Sequence, residues 1–116
     1  MTTEQLRKFC LSLPHATEDV KWEESLCFCV GGKIFAATSL ATGRGGRVSF
    51  KTTPEEFVNL TEREGVVPAP YLARYDWVHL EDPDALRAEE LKKCIAASHA
   101  LVLAKLPRKL RRELES

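Results

Sequence analysis

The chain has no long apolar run: nothing in its 116 residues approaches the roughly 20 apolar positions that a bilayer-spanning helix needs. A helical membrane anchor is therefore not expected. It has no net charge, with 17 Lys and Arg against 17 Asp and Glu, so bulk attraction to a polyanion is absent and any such binding must be local. Internal repeats, low-complexity stretches and linkers are missing too, which leaves one domain over residues 1–116. The start, Met1-Thr2-Thr3-Glu4-Gln5, has neither basic residues nor an apolar signal core, and the expected compartment is the cytoplasm. There the four cysteines, Cys10, Cys27, Cys29 and Cys94, are expected to stay reduced.

Signatures of chemistry are equally scarce. Cys27-Phe28-Cys29 has one intervening residue and no second pair, whereas structural zinc sites use wider spacing and two pairs. Gly43-x-Gly45-Gly46 has no helix after it, so it is not a nucleotide-phosphate loop. The histidines His15, His79 and His99 show no partner set, and no nucleophile turn is present. The expectation is a protein without cofactor or metal, and not an enzyme.

What is present is regular. Leu6, Phe9, Cys10 and Leu13 fall at helical spacing, with Pro14 as a stop, and predict a helix over about 3–13. His15 to Trp22 is polar and is expected to be a loop. Ser25 to Val30 and Lys33 to Ser39 predict a hairpin about Gly31-Gly32. Arg47 to Lys51 alternates, with Val48 and Phe50 inward and Arg47, Ser49 and Lys51 outward. Thr53, Pro54 and Glu56 open a second helix, which Gly65 is expected to end. Pro68-Ala69-Pro70 forms a stiff elbow before a strand that puts Tyr75, Trp77 and His79 on one face. Asp82-Pro83-Asp84 is expected to open a long last helix reaching Leu106, with a frayed basic tail after Pro107 and a half-exposed His99. The fold class that follows is α+β in two layers. Its antiparallel sheet carries helices on one face, in the order α-β-β-β-α-β-β-α.

Charges are sorted along the chain. From Ser25 to Pro54 there are four bases (Lys33, Arg44, Arg47, Lys51) and no acid, and from Lys105 to Arg112 five bases and no acid. From Asp76 to Glu90 six acids face Arg87 alone. Lys33, Arg44, Arg47 and Lys51 are candidate phosphate contacts, with Arg44 at a glycine-rich loop tip and Arg108 and Lys109 added from the tail. The competing reading is a solvated sheet face kept soluble by charge. Tyr71, Arg74 and Trp77, crowded beside the elbow, are a candidate ligand surface, although a lone tryptophan most often packs a core.

Several segments together resemble a known family. Leu13-Pro14-His15-Ala16-Thr17-Glu18-Asp19, Val30-Gly31-Gly32-Lys33-Ile34-Phe35-Ala36, Pro68-Ala69-Pro70-Tyr71-Leu72 with Trp77, and Leu103-Ala104-Lys105-Leu106-Pro107 are similar, in order, to the MmcQ/YjbR family. The resemblance implies a compact α+β domain like the type III secretion chaperone fold. It also implies DNA binding through a double-wing motif, and it supplies no catalytic residues. The partner expected is DNA, or alternatively a protein bound in the manner of a chaperone-like adaptor, with the chain a monomer or weak dimer and no membrane involved.

Overall fold

Along Ser25–Val30 (β2), Leu26, Phe28 and Val30 enter the core while Cys27 and Cys29 face the other way, the two-residue period of a pleated strand. The computed structural model describes residues 3–21, 25–39, 47–69, 72–82 and 84–115. Around β2 lie Thr3–Ser12 (α1), Ala16–Lys21 (β1), Lys33–Ser39 (β3) and Val48–Lys51 (β4). Pro54–Thr61 (α2), Val66–Pro68 (β5), a 3₁₀ turn at Ala73–Tyr75, Trp77–Leu80 (β6), Ala88–Ala104 (α3) and Arg108–Glu115 (α4) complete the chain. The strands form one antiparallel sheet in the order β1-β2-β3-β4-β6-β5. Leu6 and Cys10 of α1, Leu60 of α2, and Leu91, Ile95 and Val102 of α3 pack on one face of it. The α+β class and the one-sided layering are as the sequence implies.

Four details differ from the sequence reading. Residues 16–21 are not a loop but an edge strand, paired with β2 from Ala16–Val30 to Lys21–Ser25. An edge strand needs only one partner and tolerates charge on its free side, so its Thr-Glu-Asp stretch carries no apolar alternation to detect. The last helix begins at Ala88, because Asp82 Oδ1 accepts from the Asp84 N–H and its carbonyl from the Ala85 N–H, closing a turn first. The tail after Pro107 is the helix α4, whose Leu110 reaches Gly31 in the β2–β3 turn and whose Leu114 packs against the core. His99 is buried rather than half-exposed; its Nε2 lies 2.8 Å from the Pro14 carbonyl and its ring stands edge-on to Phe35.

Other expectations hold with adjusted ends. Thr53 caps α2, accepting from the Glu56 N–H, and Pro54 is its first residue. The helix ends at Thr61, and Gly65, at φ +86°, serves the turn into β5 instead. Tyr75 belongs to the 3₁₀ turn, which the left-handed Asp76 ends before the strand begins at Trp77, so Trp77 and His79 share a face without Tyr75. No disulfide joins the four cysteines.

Two features shape the face without helices. A bulge between β2 and β3 makes Phe35 the extra residue, so Phe35 and Ala36 both enter the core and Ile34 turns to the open face opposite Cys29. The β3–β4 ladder stops at Ala36–Phe50. Beyond it the buried Ser98 hydroxyl of α3 donates to the Phe35 carbonyl (2.6 Å) and accepts from the Lys51 N–H (3.0 Å). One hydroxyl thus satisfies a donor and an acceptor that the parted strands no longer offer each other. Ser98→Ala leaves both unpaired in the interior and is expected to lower the unfolding free energy by about 2 kcal/mol. The urea midpoint reports it, and a change within about 0.5 kcal/mol, as at an indifferent surface position, contradicts it.

Candidate functional site

Where β3 and β4 part, a cleft of about 550 Å³ opens. Its apolar lining includes Ile34 from the bulged strand, Leu72 before the 3₁₀ turn, Trp77 from β6, Val102 of α3 and Leu106 just beyond that helix. Lys33, Lys51 and Lys105 stand around it, with Tyr75 beside them. The Lys51 ammonium donates to the Tyr75 carbonyl at 2.6 Å. Burial, and then the Lys105 charge, hold its pKa below the ordinary lysine value, with Asp76 opposing. A partly buried ammonium beside a second cation marks a place where an anion gains.

The surroundings add to this. Pro107 lines the cleft, and Arg108 and Lys109 occupy the first turn of α4. Cations there oppose the helix dipole, so their position is not one that helix stability selects. Arg74 is exposed at the lip, its guanidinium 4.8 Å from the centre of the Tyr75 ring.

The sequence-nominated residues therefore divide. Lys33, Lys51 and Trp77 meet in the cleft, Arg74 borders it, and Arg108 and Lys109 begin the helix next to it. Trp77 is buried, at 8% exposure, but on the face opposite the main core, since its strand neighbour Val78 points into that core. Arg47 is on the same face as Lys51 yet about 13 Å along β4, at roughly 3.3 Å per residue. It shares a separate hollow with Glu64, His79, Glu81 and Asp82. Arg44 and Tyr71 lie outside the described residues. Lys105 was not singled out by its surroundings in the sequence. It follows a regular helix, and only the packing of α3 under the sheet brings it to Lys51.

Cys27 and His79 lie in one row across the sheet, Asp19–Cys27–Ala37–Ser49–His79–Val67, with β3 and β4 between them. They do not converge on a metal. Burial pushes the Cys10 thiol up to about 12 and, with Glu56 and Glu90, the Cys94 thiol up to about 11, so neither supplies a thiolate near neutrality. His79 Nδ1 lies 2.8 Å from the Ser49 hydroxyl. Its pKa is lowered, first by burial, with Glu81 opposing and Arg47 assisting.

The family model described as YjbR matches residues 11–101. The crystal structure of the Deinococcus radiodurans protein DR2400, a DUF419 domain, is similar with a TM-score of 0.86. It is 30% identical, over 98% of this chain and 88% of that one. A crystal structure from Pseudomonas syringae, a structural-genomics target, has a TM-score of 0.70 and 20% identity over 88% of this chain and 99% of that one. At that identity the likeness is one of fold. Among curated proteins none matches. Lys105 and Leu106 of the cleft lie beyond the residues that the family model matches.

The His79 environment has a measurable consequence. Because its folded pKa is depressed below 6.5, the unfolded chain takes up a proton first, and stability falls as pH drops through that value. His79→Gln is expected to flatten the dependence of the urea midpoint on pH between about pH 7 and pH 5. An unchanged slope contradicts the assignment.

Proposed function

We propose that this chain, which belongs to the YjbR family, is a nucleic-acid-binding domain whose contact surface is the lysine-rimmed cleft. The observation that carries the reading is the convergence of Lys33, Lys51 and Lys105 around an apolar hollow containing Trp77. Ammonium groups meet phosphates as point charges, and the half-exposed Tyr75 offers an aromatic face beside Trp77 in the cleft wall. The contact differs from an evenly basic sheet face: Arg47 is drawn into an acid-lined hollow at the far end of β4. The reading makes the cleft a binding surface; the buried Cys10 and Cys94 thiols lie outside its lining and are held protonated. No helix among the described residues is long and apolar enough to cross a membrane.

A protein-adaptor role has less behind it. The exposed large apolar side chains among the described residues are Val20, Val58, Leu72 and Tyr75. They come from β1, α2 and the segment before β6, and only Leu72 and Tyr75 adjoin one surface, which is the cleft itself.

The test is fluorescence anisotropy with a labelled DNA strand across a salt series. Three lysine–phosphate contacts give a log–log salt slope of about −2. Lys51→Ala with Lys105→Ala is expected to bring that slope near −1, whereas Arg47→Ala leaves it in place. Absence of binding at low salt, or an equal loss from Arg47→Ala, overturns the proposal.

A further inference from the structure

We infer that the cleft accepts an unpaired base, so that the domain selects single-stranded over duplex nucleic acid; the inference rests on the nucleic-acid reading above and narrows it.

The first ground is shape and polarity. A duplex turns phosphates outward and keeps the flat faces of its bases stacked inside, so it has nothing apolar to place in a concave hollow. The cleft has an apolar floor of Ile34, Trp77, Val102 and Leu106. Its volume, about 550 Å³, lies within the range of roughly 300–1,000 Å³ over which pockets bury small ligands. An unstacked base with its sugar fills such a space and brings its own phosphates to the rim, where the lysines stand.

The second ground is the extent of the charge. Proteins that hold duplex DNA neutralise phosphates along a length of backbone. Among the described residues the cations Lys33, Lys51 and Lys105 cluster around the one cleft, with Arg108 and Lys109 in the helix next to it. Along the sheet from Lys51, Glu64, Glu81 and Asp82 line a hollow with Arg47. A backbone continuing along β4 meets carboxylates, so the footprint is a few nucleotides long and centred on the cleft.

The third ground is that the aromatic surface is already in place. Trp77 is anchored in β6 opposite Lys51, and Ala69 donates its N–H to the Trp77 carbonyl at 3.0 Å. Tyr75, about half exposed, stands at the lip with one ring face under Arg74. Little ordering is required on binding, which favours affinity.

The test uses three ligands: a thymidine octamer, the same octamer annealed to its complement, and an octamer of the same sugar-phosphate backbone without bases. Trp22→Phe makes Trp77 the sole indole of the chain. The octamer is expected to quench Trp77 fluorescence and to bind about tenfold or more tighter than either the duplex or the abasic strand. Removing the bases leaves the protein untouched, so no folding defect can imitate the result. Equal affinity for all three ligands with unchanged Trp77 emission overturns the inference while leaving charge-based binding intact. Binding of none of them at low salt overturns the nucleic-acid reading as well.

Discussion

The hydroxyl of Ser98 sits where the sheet stops being a sheet. Two strands that pair through Ala36–Phe50 separate beyond it, and the polar groups freed by the separation are returned to a single buried side chain of α3. Without that substitution of partners the gap would be closed by ladder hydrogen bonds or would leave bare amides in the interior. The bulge at Phe35 works with it, feeding an extra aromatic ring into the core and turning Ile34 outward. The cleft is thus a consequence of how the helix layer holds the sheet, and its lining draws on both layers.

The same arrangement sorts charge. On the helix-free face Arg47, just before β4, and Ser49 and Lys51 within it alternate outward as strand geometry requires. Their surroundings differ: Lys51 faces further cations from β3 and the end of α3, and Arg47 faces carboxylates from the segments flanking β5 and β6. A molecule of zero net charge acquires in this way a lysine-rimmed hollow and a separate acid-lined one. Burial first, and then the neighbouring Lys105, raise the cost of charging Lys51. An anion placed among these lysines relieves it.

Much of the fold is visible in the residues themselves. The Gly31-Gly32 hairpin, the Thr53–Pro54 helix start and the Val48–Phe50 alternation follow from turn chemistry, capping and period, each a local matter. The edge strand 16–21 is hidden because its only requirement is a partner's backbone. The helix at 108–115 is hidden because a run of cations resembles a solvated tail until Leu110 and Leu114 find Gly31 and the core. For the site, Lys33, Lys51 and Trp77 are nominated by charge and aromatic crowding. Their meeting with Lys105 and Leu106 is a tertiary fact, set by where α3 crosses the sheet and by a bulge that no local pattern announces.

The most direct measurement is a two-dimensional amide NMR titration of the isotope-labelled protein with a short DNA strand at low salt. The account expects shifts concentrated at Lys33, Ile34, Lys51, Trp77, Lys105 and Leu106, with His79 and the Glu64–Glu81 end of the sheet undisturbed. Shifts centred on Arg47 and His79, or spread evenly over the surface, would contradict it.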